Sequence, residues 1–324
     1  MNEVYDVCIV GSGPAGHSAA LYTSRGMLKT ILFEGFEPGG QLTQTTDIEN
    51  YLGFPEGVES YELCMKFKEH SERWGTEILS ENVEKITSIN KCFNVYYDEM
   101  KKYIVAKTVI ICSGSKAKIL EFEGSSDFWN KGITSCAVCH GSLPMFRNKP
   151  LFVVGGGDTA MEDVLYLSKY SSEVYIVHRR DAFRASKIMQ NRVLSNPNIK
   201  VLWNTEMIKA SGKDLLESVT LRNNKTGEER IYNASGIFYA IGHTPCSEFL
   251  RDSYFDIDLF GHTNIVLDTE GYIVTKEDST KTSIDGIFCA GDIRDKDKKF
   301  KQAIVAAGTG CKAALEAIDY LEKI

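Results

Sequence analysis

The sequence predicts an α/β fold made from two copies of one strand–turn–helix–strand unit, and three observations carry that expectation. A short β-branched run meets a glycine-rich turn twice, as YDVCIVGSGPAG at residues 5–16 and as LFVVGGGDTA at residues 151–160. Each turn leads into a helix-forming stretch and then a second apolar run, TILFE ending at Glu34 and VYIVH ending at His178. In both copies the strand-end residue follows the first turn glycine by the same 23 positions, Gly11 to Glu34 and Gly155 to His178. One glycine turn is a weak signal; two in a common register read as two Rossmann-like, three-layer dinucleotide-binding domains.

In the first copy each glycine has a mechanical task. Gly11 makes the tight turn, Gly13 lets the backbone approach a pyrophosphate, and Gly16 lets the helix pack closely. The helix is expected to run through Arg25. Its exposed N–H groups and dipole would hold phosphates. Glu34, at the end of the second strand, suits the hydroxyls of an adenosine ribose. The second copy, with a helix expected through Tyr170, ends instead in His178-Arg179-Arg180, with Arg184 a turn further on. A carboxylate there would repel a 2′-phosphate, whereas guanidinium groups bind one through paired hydrogen bonds. The second site therefore reads as NADP(H) over NAD(H). Two nucleotides on one chain suggest a flavin reduced by NADPH, with FAD in the first site. Near the C-terminus, Gly286 to Asp292 reads as a buried strand ending in an exposed Asp. A helix then opens near Gln302 and would face the flavin pyrimidine.

A chain of 324 residues suffices for two domains of ordinary size. The net charge of −7 is spread along it with no basic concentration, which sets nucleic acid aside as a partner. The start, MNEVYDVCIVGSGPAG, offers no secretory or transit signal, and no apolar run is long enough to span a bilayer. The cytosol is the expected location. Nine cysteines, an odd number mostly set in apolar runs such as VCIV and VIICSG, indicate a reducing compartment rather than a disulfide framework. Seven of them read as small apolar core residues. The pair in CAVCH, Cys136 and Cys139, needs a chemical explanation.

That spacing admits covalent haem attachment, half of a zinc site, or a redox dithiol. Haem fits poorly between two dinucleotide units in a chain without an export signal. Zinc needs two more ligands, and His17, His70, His178, His243 and His262 are scattered singly. A dithiol suits a flavin enzyme, since reduced flavin can pass an electron pair to a disulfide.

The chain resembles the low-molecular-weight thioredoxin reductases over nearly its whole length. GSGPAG, GGQLTQTTDIENYLGFP, CAVC, FRNKPLFVVGGGDTAMED, HRRDAFRAS, FYAIGHTP, GIFCAGD and KQAIVAAGTGCKAA follow in the order of that family's motifs. The resemblance implies an FAD-binding domain in two segments, 1–116 and 247–324, with an NADPH-binding domain, 117–246, inserted between. For FAD it implies Ser12, Gly13, Pro14, Ala15, Glu34, Gln41, Asn50, Val83, Cys139, Asp292, Lys301, Gln302 and Ala303. For NADPH it implies Gly157, Asp158, Thr159, His178, Arg179, Arg180 and Arg184. It implies a homodimer, no metal, and thioredoxin as the protein substrate. Cys139 would lie against the flavin, Cys136 would attack the thioredoxin disulfide, and the NADPH domain would rotate between two poses.

Two positions depart from the family. His140 stands where an Asp normally follows the second cysteine. A histidine titrates at ~6.5 and suits acid–base work near neutrality. Lys301 stands where the family often has Arg, keeping the charge and losing the fork. Alternatives on related folds are an FAD-dependent dithiol oxidase, which has no use for the arginine cluster, and a ferredoxin–NADP reductase, which lacks the dithiol.

Overall fold

The computed structural model describes residues 3–89, 91–255 and 263–324, so His262 lies outside the described residues. Two compact units emerge, one from Met1–Lys116 with Thr244–Ile324, the other from Ala117–His243. Among the described residues six α-helices follow in chain order: α1 (Pro14–Arg25), α2 (Ser60–Glu72), α3 (Ala137–His140), α4 (Asp158–Leu167), α5 (Lys187–Leu194) and α6 (Ala303–Leu321).

The first unit is built on a seven-stranded sheet. Its central strand, Val4–Val10, lies parallel to Thr30–Phe33 on one side and Lys102–Ile111 on the other. Ile287–Cys289 pairs in parallel with Lys102–Ile111, and the meander Lys85–Ile89, Cys92–Tyr97 continues the sheet antiparallel. Parallel strands need both faces covered. Helices α1 and α6 cover one, over Val7, Ile9, Leu32, Ile110 and Phe288. The two helices cross closely because small residues meet there: a Cβ on Gly310 would lie 2.1 Å from the Ala15 carbonyl oxygen. The other face, with Cys8, Val10, Ile31 and Phe33, packs on Ile86, Phe93, Val95 and Phe255. Burying each large side chain fully contributes roughly 1.5–3 kcal/mol.

The second unit has a five-stranded parallel sheet ordered Ile133–Thr134, Gly236–Ala240, Leu151–Gly155, Val174–His178, Ile199–Trp203. Side chains alternate between its faces. Leu151, Val153, Ile176 and Phe238 meet Ala160, Met161, Val164 and Leu167 of α4. Phe152, Val154, Tyr175 and Val177 meet a three-stranded antiparallel sheet, Thr205–Gly212, Leu216–Asn223 and Glu229–Asn233. Phe152 and Tyr175 stack at 4.7 Å between these layers. The result is three layers, as the α/β reading expects.

Two boundaries differ from expectation. Helix α4 stops at Leu167 rather than Tyr170, because Ser168 turns its hydroxyl back to the Leu165 carbonyl and the chain closes a turn from Tyr170 N to Leu167 O. The return to the first unit comes at His243/Thr244 rather than 246/247. Cys246 is fastened to the first unit by its N–H to the Gly114 carbonyl (3.0 Å) and by Ser113 Oγ to its own carbonyl (2.8 Å). Among the described residues no helix is long and apolar enough to cross a membrane.

Candidate active site

The first glycine turn sits at the end of the central strand of its unit, where parallel sheets place ligands. Gly11 takes φ +110°, a left-handed value that favours glycine. A Cβ on Gly16 would stand 1.8 Å from the Gly11 carbonyl oxygen, so the helix can enter only if that position is bare. A Cβ on Gly13 would meet nothing within 4 Å. Its bareness serves no packing inside the chain, and the open cradle it leaves fits a pyrophosphate. Pro14 opens α1, where its missing N–H costs nothing, and Ala15 is buried beneath α6. Two substitutions in one turn should therefore behave differently. Gly16→Ala is expected to destabilise the apoprotein by about 1–3 kcal/mol or more. Gly13→Ala is expected to leave apoprotein melting nearly unchanged and to lose flavin retention. Melting curves with and without added FAD check both.

Glu34 is 6% exposed and accepts from Lys68 Nζ at 2.9 and 3.1 Å and from Ser80 Oγ. Burial alone would raise its pKa, but Ser80 and Lys68 hold the carboxyl below its usual range. It is a fixed anion that suits ribose hydroxyls. Ser12 Oγ donates to the Glu34 carbonyl at 2.9 Å and accepts from Gly39 N at 3.1 Å, joining the turn to the segment that holds Gln41. Asn50 Nδ2 donates to Gln302 Oε1 at 3.1 Å, so two residues 252 apart in sequence meet at the opening of α6, where Gln302 is the cap and Ala303 the first helical residue. Val83 packs on the sheet.

Asp292 is not the exposed strand-end residue expected from sequence. Gly291 N donates to Thr309 Oγ1 at 3.0 Å, which draws the short turn Gly291–Ile293 under α6. Burial pushes the Asp292 carboxyl up to about 6, against the pull of Lys301. Lys301 Nζ donates to Ser115 Oγ (2.9 Å), Tyr272 OH (3.3 Å) and the Asp292 carbonyl (3.4 Å). Three separate acceptors suit an ammonium, which carries three donors. A desolvated carboxyl, a held anion and an open glycine cradle match the ribitol, ribose and pyrophosphate of FAD.

In the second unit the same logic recurs with different charge. A Cβ on Gly157 would meet nothing within 4 Å, again an open cradle at a helix start. Gly156 is bare because the His178 ring lies 2.2 Å from where its Cβ would be. His178, expected among the NADPH residues, is 6% exposed. Its Nε2 is bonded to the Ala182 carbonyl (3.0 Å), and its ring packs against Phe183 and Trp203. It supports the loop from below. Arg179, Arg180 and Arg184 are the exposed members. The loop is tied to the glycine turn by Arg184 N to the Gly156 carbonyl (2.8 Å) and by Ser186 N and Oγ to Asp158 Oδ1 (2.9 Å each). Thr159 is exposed beside Asp158. Three guanidinium groups near an open glycine fit the 2′-phosphate and pyrophosphate of NADPH.

Cys136 and Cys139 are joined in a disulfide, with Cα atoms 5.3 Å apart. Cys136 caps α3, and its Sγ accepts from Cys139 N at 3.1 Å. Both cysteines are partly exposed, and the Val138 side chain between them is 49% exposed. His140 Nδ1 lies 2.8 Å from Thr134 Oγ1, and Cys136 N donates to the same hydroxyl at 3.4 Å. Burial holds the His140 imidazole below its ordinary value, against the opposing pull of the Cys136 backbone. That burial favours the neutral ring over the charged one. Thr134, on the edge strand Ile133–Thr134, carries no motif that would have marked it. Of the other seven cysteines, Cys8, Cys64, Cys112 and Cys289 are buried, while Cys92, Cys246 and Cys311 are partly so.

A sequence profile described as Pyridine nucleotide-disulphide oxidoreductase matches residues 5–310. "Thioredoxin reductase 1, mitochondrial" of Arabidopsis thaliana is 51% identical, covering 98% of this chain and 84% of its own. The thioredoxin reductase of Schizosaccharomyces pombe is 44% identical over 98% of this chain and 97% of its own. Among solved structures, thioredoxin reductase from Giardia duodenalis covers 99% of both chains with a TM-score of 0.90 at 34% identity. Matching profile, relatives and fold coincide over the glycine turns and the cysteine pair described above, and the chain belongs to the pyridine nucleotide-disulphide oxidoreductase family, among its thioredoxin reductases.

Proposed function

We propose that this protein is an NADPH-dependent thioredoxin-disulfide reductase in which reducing equivalents pass from NADPH through FAD to Cys136–Cys139 and on to the disulfide of thioredoxin. The observation that carries this reading is the Cys136–Cys139 disulfide between partly exposed residues, whose Cys136 sulfur accepts the Cys139 N–H at 3.1 Å. Ser12–Ala15, Glu34, Asn50, Asp292 and Gln302 are the residues we assign to holding FAD. Gly157, Thr159, Arg179, Arg180 and Arg184 are those assigned to NADPH. Bound FAD supplies two-electron transfer between the nicotinamide and the disulfide.

Disulfide exchange needs a thiolate, and the Cys139 N–H faces the Cys136 sulfur. The Cys136 thiolate attacks one thioredoxin sulfur, breaking that disulfide and forming a mixed one. Cys139 then attacks Cys136 Sγ, re-forming the internal bond and releasing thioredoxin as a dithiol. Two electrons leave the pair and two protons accompany them. His140, steadied by Thr134, is assigned the proton leaving Cys139. The parent should then show an inflection below ~6.5 in the pH profile of thioredoxin reduction. In His140→Ala that inflection is expected to vanish and the rate to fall by up to about 10²-fold. A variant profile that overlays the parent's would remove His140 from this role.

The exposed arginine trio supports a nicotinamide reductase over a dithiol oxidase, which needs no second nucleotide. We also place the protein in the cytosol, as a symmetric homodimer. Cysteines lying mostly in apolar runs support the first assignment, and the family resemblance supports the second. Mixing the purified protein with NADPH and thioredoxin and following NADPH oxidation tests the reading.

A further inference from the structure

The arginine loop of the second unit is anchored on a side that the coenzyme motifs do not cover. The antiparallel sheet ends in a hairpin turn at Asn223–Gly227, closed by Gly227 N to the Asn223 carbonyl (2.8 Å), with Asn223 Oδ1 accepting from Lys225 N and Thr226 N. From this turn Asn224 Nδ2 donates to the Arg179 carbonyl at 2.8 Å, and Asn224 N donates to the Asn204 carbonyl at 2.7 Å. Asn204 N in turn donates to the Arg180 carbonyl at 3.1 Å. Both arginine carbonyls are therefore held by the hairpin side, while Arg184 N is held by the glycine turn.

The corner carries a cost that packing alone does not explain. Asn204 takes a left-handed φ of 53°, and its buried Oδ1 has no hydrogen-bond partner. Strained backbone and unsatisfied polar atoms persist where surrounding structure over-determines them, and they cluster at ligand sites. What this strain achieves is the course of the main chain through Arg179 and Arg180, at the opening where their side chains reach solvent.

We infer that Asn224 is a positioning residue for coenzyme selection: by holding the Arg179 main chain it sets the two guanidinium groups to converge on the adenosine 2′-phosphate. This rests on the reading of the second site as one for NADPH. Without the Nδ2 donor the loop keeps its glycine-turn anchor and the Asn204 N–H on the Arg180 carbonyl, and loses the tie on the Arg179 carbonyl, so the arginines remain charged and exposed but less convergent. The effect falls on the 2′-phosphate and not on the rest of the nucleotide.

The test is calorimetric binding of 2′,5′-ADP and of 5′-AMP to the flavin-loaded parent, Asn224→Ala and Asn224→Asp, alongside kcat/KM for NADPH and NADH. Asn224→Asp keeps the shape and lacks the donor. Both variants are expected to bind 2′,5′-ADP roughly three- to tenfold more weakly, the net loss of one hydrogen bond. Binding of 5′-AMP and turnover with NADH should be unchanged. Unaltered 2′,5′-ADP affinity, or an equal loss for both nucleotides, overturns the role of Asn224. A parent that binds 2′,5′-ADP no better than 5′-AMP instead overturns the NADPH reading itself.

Discussion

Replacing Cys136 by serine is expected to abolish thioredoxin reduction, with turnover lower by about three orders of magnitude or more, as loss of a covalent nucleophile produces elsewhere. A serine hydroxyl does not ionise near neutrality and cannot exchange with a disulfide. The variant should fold normally, because Cys136 is only partly buried and a hydroxyl can accept the Cys139 N–H in place of sulfur. It should still retain FAD, and NADPH should still bleach it, since no residue assigned to either nucleotide is touched. Cys139→Ser should differ in kind: with Cys136 left as a lone thiol, one equivalent of thioredoxin is trapped as a stable mixed disulfide. Thioredoxin reduction by Cys136→Ser at the parental rate would show that the pair is structural.

Removing the arginine pair is expected to give the next largest effect. A hydrogen bond to a charged group is worth about 1.5–3 kcal/mol, so Arg179→Ala or Arg180→Ala should each lower kcat/KM for NADPH by about 10- to 100-fold. NADH lacks the 2′-phosphate for these two groups to hold, and its kcat/KM should stay within about twofold of the parent's. Arg→Lys at either position keeps the charge and loses the paired donors, and should fall between. The split between coenzymes is the decisive quantity, because general damage to the domain would lower both. His178→Asn makes the contrast. Its ring is buried beneath Gly156, so its loss should lower stability and blur the loop rather than act as a missing phosphate contact.

What could be read from the sequence was local chemistry. The paired turns, the common register to Glu34 and His178, the cysteine spacing and the arginine cluster are all short-range patterns, and the fold follows from them. Burial was harder to read, because it depends on what the rest of the chain brings. His178 lies in a basic run and reads as surface, yet the loop that starts beside it folds Phe183 over its ring while Trp203 closes in from the next strand. Asp292 ends a buried strand and reads as exposed, yet Thr309 on α6 pulls its turn inward. Thr134 beside His140, Lys68 and Ser80 on Glu34, and Asn224 behind Arg179 are single polar residues with no motif of their own. Sequence separations of 34 to 46 residues set their partners on Glu34 and Arg179, and no periodicity reports such pairings.

The central claim is that electrons from NADPH come to rest as two thiols at positions 136 and 139. The most direct measurement is anaerobic titration of the FAD-loaded protein with NADPH, each step quenched with a thiol-alkylating reagent and mapped by mass. Reducing equivalents from NADPH should appear as two new alkylated sites, Cys136 and Cys139, and oxidised thioredoxin should erase them both. If the flavin bleaches while those two cysteines stay unmodified, the route described here is wrong.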